Sequence, residues 1–289
     1  MSAVEPSRDL DRLRELVADG GVLVLSGAGL STDSGIPDYR GPRPSGVPRP
    51  SPMTWSQFRD SEPARRRYWA RSHLGWAVFG RARPNAGHEA VAHLQRAGLV
   101  DDVITQNVDG LHQSAGSAQV LDLHGRLDRV VCLGCGTTSP RARLHERLAD
   151  ANPTWTAEAA AWLPDGDVAL PAESVDSFVP VGCEDCGDGV LKPDVVFFGE
   201  SIPRAVNEQA DRLVDGASSV LVLGSSLTVF SGRRLVVRAA RAGAGVAIVN
   251  RGPTRADGLA DVRIDAGLGE TLSWLGDSAC PVATAPPIR

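Results

Sequence analysis

Four short apolar runs that do not alternate with polar residues constrain this chain more than any other feature: Val22–Ser26, Val103–Thr105, Val220–Leu223 and Val246–Val249. A strand with one face in water alternates, whereas a strand covered on both faces is apolar throughout, so runs of this kind belong in a parallel sheet packed on both sides. Helical stretches stand between them. Ser7 can cap a helix from about Arg8 to Asp19, in which Leu10, Leu13, Leu16 and Val17 share one face and which Gly20 and Gly21 stop. Asn85 can cap another, with Ala90, Val91, Leu94 and Ala97 facing inward and Gly98 at its end; Ala205–Val214 and Arg234–Ala242 read the same way. Strands alternating with helices predict an α/β fold with a doubly wound, Rossmann-type parallel sheet.

Two stretches break that rhythm. Gly41–Pro52 is crowded with Pro, Gly and Ser and leads into the Arg- and Trp-rich Trp55–Arg83, which reads as a loop followed by a helical insertion. The second runs from Val131 to Val190, with a helix expected near Arg141–Leu148. The expected division is therefore a Rossmann-type domain made of residues 1–40, 85–130 and 191–276, a loop and helical insertion over 41–84, a separate module over 131–190, and a disordered tail over 277–289, rich in Pro. With 289 residues the chain can bury a core without disulfides.

Five cysteines fall as two close pairs, Cys132/Cys135 and Cys183/Cys186, with Cys280 alone. Two residues separate the members of each pair and a long loop separates the pairs, a spacing that turns four thiolates toward one tetrahedral zinc ion. With all four positions taken by sulfur, no place is left for a reactive water, so the expected zinc is structural. A dithiol redox pair would need only one of the two.

A formal net charge of −5 gives no broad electrostatic hold on nucleic acid, and no specific nucleic-acid partner is expected. No apolar run approaches the roughly 18 residues of a membrane span, and the N-terminal stretch carries Glu5, Asp9, Asp11, Glu15 and Asp19 rather than the apolar segment of an export signal. The expectation is a cytoplasmic protein without membrane contact, and a monomer. Lys192 is the only lysine, which coding bias explains better than any function.

Gly27-Ala28-Gly29 stands where the first strand ends, a position where glycines let the backbone approach a pyrophosphate. The third glycine of the usual dinucleotide pattern is replaced by Thr32, which departs from the dehydrogenase fingerprint, and the segment alone reads equally well as a tight turn. The continuation decides more. Gly27 to Arg40 reads Gly-Ala-Gly-Leu-Ser-Thr-Asp-Ser-Gly-Ile-Pro-Asp-Tyr-Arg, Thr105 to His112 reads Thr-Gln-Asn-Val-Asp-Gly-Leu-His, and His124-Gly125 follows. With Gly187 to Glu200, Gly224-Ser225-Ser226 and Val249-Asn250-Arg251, these strings make the chain resemble the sirtuins from about Gly20 to Leu275. Within that family it is most similar to the class II branch typified by the fourth human sirtuin, through Tyr68-Trp-Ala-Arg71, Asn152-Pro-Thr-Trp155 and the long insertion between the cysteine pairs.

The resemblance implies NAD as cofactor and acyl-lysine proteins as substrates. It implies that Gly27, Ala28, Gly29, Ser31 and Arg40 meet the phosphates and nearby ribose, that Ile36 and Asp38 flank the nicotinamide carboxamide, and that Gln106, Asn107 and Asp109 line the nicotinamide-side ribose. Gly224, Ser225, Ser226, Asn250 and Arg251 would hold the adenosine half. His124 would be the general base, with Asn107 and Asp109 beside the leaving group; imidazole suits that work because its ordinary pKa of about 6.5 leaves it largely neutral near pH 7. His88 and His112 are read as structural. The stretch Val195, Val196, Phe197, Phe198, Gly199 and Glu200 would pair with an extended peptide by strand addition. Tyr68 and Arg71 resemble the pair with which a desuccinylating sirtuin grips acidic acyl groups, while an exposed arginine-rich helix face reads them as well.

The reaction implied is attack of the acyl oxygen on the anomeric carbon as nicotinamide departs, followed by deprotonation of a ribose hydroxyl by His124 and release of lysine and O-acyl-ADP-ribose. Mono-ADP-ribosyl transfer to a protein nucleophile, or a scaffold that senses NAD without turnover, would share most of these residues.

Overall fold

The computed structural model describes residues 8–38, 52–157, 170 and 172–279, of which residues 77, 78, 172, 173 and 277–279 are described by backbone alone. Ser7, Arg40, the glycine- and proline-rich loop up to Ser51 and Cys280 with the tail after it lie outside them. Ten α-helices occur among the described residues: α1 (Arg8–Ala18), α2 (Trp55–Asp60), α3 (Glu62–Phe79), α4 (Ala86–Arg96), α5 (Leu111–Ser114), α6 (Arg141–Ala151), α7 (Ala172–Asp176), α8 (Arg204–Gly216), α9 (Phe230–Ala242) and α10 (Leu268–Ala279). The strands are β1 (Val22–Ser26), β2 (Val100–Thr105), β3 (Val120–Asp122), β4 (Gly125–Cys132), β5 (Thr138–Pro140), β6 (Leu191–Val195), β7 (Ser219–Leu223), β8 (Gly245–Val249) and β9 (Val262–Ile264).

The four apolar runs lie side by side. The main sheet has the order β3-β2-β1-β7-β8-β9, and all its pairings are parallel. Side chains alternate across a strand, and here both faces are apolar. Val22 and Val24 of β1 face Leu10, Leu13 and Val17 of α1 with Leu94 of α4 and Leu272 of α10, while Leu23 and Leu25 face Ala210 and Val214 of α8 and Leu235 and Val236 of α9. Emptying one such buried leucine to alanine costs about 2–5 kcal/mol. The chain crosses from one face to the other between β1 and β7, which opens a crevice along the carboxyl edge.

A second sheet, β5-β4-β6, is antiparallel. It shares one apolar core with the helical insertion: Phe58 of α2, Tyr68 and Trp69 of α3, Leu144 and Leu148 of α6, Phe178, Leu191 and Phe197 pack together, and Trp69 Nε1 donates to the Leu191 carbonyl at 3.1 Å. α2 starts at a capping box in which Thr54 and Gln57 bond each other's backbone N–H.

Three features differ from the sequence expectation. β6 and most of β4, expected within the Rossmann-type segments, pair with each other in the small sheet instead, because β4 turns away from the main sheet at Gly125, where a Cβ would stand 2.1 Å from the Asp194 carbonyl oxygen. The glycine turn after β1, whose place at a strand end suggests a turn toward a helix, enters two 3-10 turns, Ala28–Leu30 and Thr32–Ser34, rather than an α-helix. α10 continues to Ala279, past the expected start of a disordered tail at residue 277.

Candidate active site

At the carboxyl edge of the main sheet two turns touch through their backbones. The Gly29 N–H donates to the Gly224 carbonyl at 2.9 Å, and a Cβ on Gly27 would lie 2.7 Å from the Ser225 Cβ. Glycine is therefore required at 27 and 29 by the 224–225 turn, which itself takes a positive φ at Gly224. Leu227, three residues on, is the only non-glycine residue with positive φ among the described residues.

The residues after β2 are tied to the same turns. Gln106 Nε2 donates to Ser225 Oγ at 2.8 Å and to the Ser26 carbonyl at 3.2 Å. Asn107 Nδ2 donates to the Gly27 carbonyl at 3.0 Å and to Ser31 Oγ at 3.1 Å, and the Ser31 hydroxyl donates to Asp109 Oδ2 at 2.7 Å. The Leu111 N–H donates to the other Asp109 oxygen at 2.9 Å. Burial pushes the Asp109 carboxyl above its ordinary range, opposed by these two bonds. Ser31, Asn107 and Asp109 thus form one polar cluster, close to the first glycine turn.

His124 follows β3. Its Nδ1 lies 2.9 Å from the Gln106 carbonyl oxygen and its Nε2 lies 2.8 Å from Ser231 Oγ in the first turn of α9. Burial lowers its pKa, opposed by the Gln106 carbonyl. The two other histidines weighed as alternatives, His88 and His112, are fully enclosed and pack ring to ring at 5.0 Å. Burial holds them neutral, with pKa lowered to about 4 and about 3. His112 lies in α5, and its Nε2 meets Ser26 Oγ at 2.9 Å. Ser26 donates to Thr105 Oγ1, which accepts from the Asn107 N–H at 3.1 Å.

Other expected ligand residues line the same edge. Ile36 is buried and Asp38 is half-buried. Ser226 Oγ meets Thr228 Oγ1 at 3.2 Å; Asn250 holds the turn after β8 through Nδ2 to the Arg251 and Gly252 carbonyls, and the exposed Arg251 lies near Gly267.

Past His124 the chain reaches the expected substrate segment. The Val196 N–H donates to the His124 carbonyl at 2.9 Å, Phe197 N–H to Glu200 Oε2 at 2.8 Å, and Phe198 is 47% exposed while its carbonyl accepts from the Trp55 N–H. Lys192 closes this turn from below: its buried ammonium donates to the Val195 carbonyl, pairs with Glu200 at 3.1 Å and lies over the rings of Trp55 and Phe197. Gly199 takes a positive φ in the turn. Tyr68 is buried, with its ring 5.4 Å from that of Phe197; Arg71, one helical turn on, is half-buried.

The four cysteine sulfurs converge within 4.8 Å of one another. Cys132 and Cys186 Sγ are 3.6 Å apart, Cys135 and Cys183 Sγ 3.8 Å. A tetrahedron with Zn–S bonds of about 2.3 Å has edges of about 3.8 Å, so the set fits zinc. The Gly134 N–H points at Cys132 Sγ, and a Cβ on Gly189 would meet Cys132 Sγ at 2.4 Å, so glycine at 189 leaves room for the sulfurs.

Residues 27–231 match the Sir2 family. The chain belongs to that family. It is 58% identical over 269 residues to a protein of Streptomyces coelicolor named NAD-dependent protein deacetylase 1, covering 93% of this chain and 89% of that one. It is 52% identical over 268 residues to the protein of the same name from Mycobacterium avium, covering 91% and 93%. A solved structure described as "Sir2-p53 peptide-NAD+" superposes with a TM-score of 0.74 at 30% identity, covering 93% of this chain and 98% of that one. The Sir2 fold, a Rossmann-like parallel sheet with a small domain, is thus common to both.

Sequence reasoning passed over Ser231, Gly232 and the Lys192–Glu200 pair. Lys192 stood inside a quoted string and was the lone lysine, which was a signal; nothing in the local pattern marks Ser231.

Proposed function

We propose that this chain is a NAD-dependent protein-lysine deacylase, with His124 as general base and Asn107 and Asp109 beside the leaving group. The observation that carries the reading is the clamped His124 ring at the end of β3, next to the Ser31–Asn107–Asp109 cluster and the paired glycine turns. Bound NAD would supply an anomeric carbon with nicotinamide as leaving group, consumed together with the acyl group as O-acyl-ADP-ribose. Gly27, Ala28, Gly29, Ser31 and Arg40 would hold the phosphate side, Ile36 and Asp38 the carboxamide, Gln106, Asn107 and Asp109 the ribose, and Gly224, Ser225, Ser226, Asn250 and Arg251 the adenosine half.

His124 supports this role through its protonation. A carbonyl only accepts, so Nδ1 carries the ring proton and Nε2 is left as the basic nitrogen. Its lowered pKa keeps it neutral at pH 7. The Val195–Glu200 turn, braced by Lys192, would offer backbone to an extended acyl-lysine peptide. Cys132, Cys135, Cys183 and Cys186 hold structural zinc and take no part in the reaction.

The class II reading rests on the insertion. Asn152 fastens it by accepting from the Val179 N–H and donating to the Val179 and Leu148 carbonyls, and Trp155 Nε1 donates to the Ser174 carbonyl at 2.7 Å. Tyr68 borders Phe197, which places α3 beside the substrate turn, and with Arg71 it would favour succinyl- or glutaryl-like lysines. A division into a Rossmann-type domain and a small domain that includes β4 and β6, a cytoplasmic location and a monomeric state belong to the same proposal; no helix among the described residues is long and apolar enough to cross a membrane.

The test is a panel of acetyl-, succinyl- and glutaryl-lysine peptides with NAD, read by nicotinamide release and mass spectrometry beside the His124→Ala variant. O-acyl-ADP-ribose that disappears in the variant supports the reading. ADP-ribosylated protein as the main product, or NAD binding without any nicotinamide, replaces it with transfer or sensing, and acetyl peptide turning over fastest removes the role given to Tyr68 and Arg71.

A further inference from the structure

We infer that Ser231 is a positioning residue for His124: its hydroxyl holds the basic nitrogen toward the crevice before the sugar arrives and receives the N–H once that nitrogen has taken a proton. The inference rests on the deacylase reading, in which His124 is the base.

The argument begins with the two nitrogens. Because the Gln106 carbonyl fixes the proton on Nδ1, the neutral ring presents a lone pair at Nε2, and the Ser231 hydroxyl 2.8 Å away must donate to it. When Nε2 becomes protonated, the same hydroxyl can rotate and accept. Few side chains offer this reversal; a carbonyl could only accept and an amine could only donate. The ring therefore keeps a partner in both states, and the bond to the charged ring is the stronger of the two. In the reaction the ribose O–H bond breaks, its proton forms the N–H bond at Nε2, and the sugar oxygen keeps the electron pair with which it attacks the acyl carbon. Ser231 loses no proton. It yields the lone pair to the sugar hydroxyl and takes the new N–H when the sugar oxygen moves away.

The fold builds this contact deliberately close. Ser231 lies in the first turn of α9, and its neighbour Gly232 lets that turn approach β2: a Cβ at 232 would stand 2.4 Å from Gln106 Oε1. The same Gln106 holds Nδ1 through its carbonyl and reaches Ser225 through its side chain. The ring is thus gripped on one side by the backbone of Gln106 and on the other by α9, and the two grips are braced against each other. Charged groups on the surrounding elements are Asp101 and Asp102 on β2, Asp109, Asp122 on β3, Arg126, Asp128 and Arg129 on β4, Lys192 and Asp194 on β6, and Arg233, Arg234, Arg238 and Arg241 on α9. Arg126 pairs with Asp128, Asp194 with Arg129, and Arg234 with Asp211. Burial and the Gln106 carbonyl are the causes that shift His124, so a change at Ser231 is read against a quiet background.

The experiment uses the full zinc-loaded chain and follows nicotinamide release and peptide deacylation from pH 5 to 9 for wild type, Ser231→Ala, Ser231→Thr and His124→Ala, with NAD affinity measured separately. Ser231→Ala should lower kcat about tenfold, the loss of one hydrogen bond to a charged group, with NAD affinity within twofold. The acid limb should move to lower pH by up to about one unit, since the protonated ring loses its acceptor. Ser231→Thr, which keeps the hydroxyl, should restore both. An Ala variant with the wild-type acid limb and kcat within twofold, an Ala variant that is faster than wild type, or a Thr variant as impaired as Ala overturns the inference. Should Ser231→Ala melt early, Ser231→Cys, with a weaker donor in the same shape, takes its place under the same criteria. If His124→Ala still turns over, the base assignment falls; if it is dead while Ser231→Ala is indifferent, only the role of Ser231 falls.

Discussion

Replacing Lys192 by Met should destabilise the protein and weaken peptide binding while leaving NAD affinity alone. The Lys192 side chain is 7% exposed and that of Glu200 19%, and the pair is 3.1 Å apart, so little water is available to replace either partner. Removing one member of a buried ion pair costs about 3–5 kcal/mol because the other is stranded; with Glu200 still in some contact with solvent, the lower end, about 3 kcal/mol, applies here. For a chain of this size that is a fall in Tm of roughly 6–12 °C. Glu200 would retain the Phe197 N–H, so the turn should loosen rather than unfold, and KM for an acyl-lysine peptide should rise more than kcat falls. Thermal melts and peptide titrations measure both. The double variant Lys192→Met/Glu200→Gln separates a stranded charge from mere loss of packing: it should recover at least about 1 kcal/mol relative to the sum of the single changes. Additivity within about 0.5 kcal/mol, or a Lys192→Met protein whose Tm and KM are unchanged, refutes the claim that this pair holds the turn.

Metal analysis should find one zinc per chain, and Cys183→Ser or a strong chelator should remove it and lower the Tm; zinc retained after Cys183→Ser speaks against a four-sulfur site. Gly232→Ala should displace the Gln106 side chain from Ser225 and weaken NAD binding several-fold, with zinc content unchanged; an alanine variant with wild-type NAD affinity would show that the 2.4 Å approach does not matter. Deacylation should persist below pH 6.5 and fall off as acidity protonates His124, because a lowered pKa keeps the base neutral further into acid; a rate that falls only above pH 7 contradicts this. His88 and His112 are neutral when folded down to about pH 4 and about pH 3, whereas unfolded histidine takes up protons from about pH 6.5. The unfolded state therefore binds more protons in that window, stability present above pH 6.5 is lost as pH falls toward 4, and His112→Gln should flatten the fall in Tm.

The main sheet was legible because its strands are wrapped on both faces, which writes covered strands as unbroken apolar runs. Even Leu23 and Leu25 on one face and Val22 and Val24 on the other follow from that rule. The metal site was legible from spacing, since two cysteine pairs, each with two residues between its members, supply the four sulfurs of a tetrahedral site where a redox dithiol needs one pair. β4 and β6 fall within segments expected in the Rossmann-type domain, because nothing in Gly125–Cys132 or Leu191–Val195 names a partner; their pairing goes with the Gly125 turn and the shared core of Phe58, Trp69 and Phe197. β9, a three-residue edge strand, leaves too short a pattern to register. In the site, the residues that the sequence offered stand in recognisable strings, whereas Ser231 stands in none. Ser231 lies 107 positions from His124, and the hydroxyl that meets the imidazole leaves no local trace.

Lys192 carries one more consequence. As the sole lysine, it is the single side-chain amine that could be tagged by an amine-seeking reagent, and in the closed turn it is shielded by Trp55, Phe197 and Glu200. The speed of its tagging would thus clock how often the Val195–Glu200 turn springs apart, a readout from one side chain that an ordinary lysine-studded surface would drown.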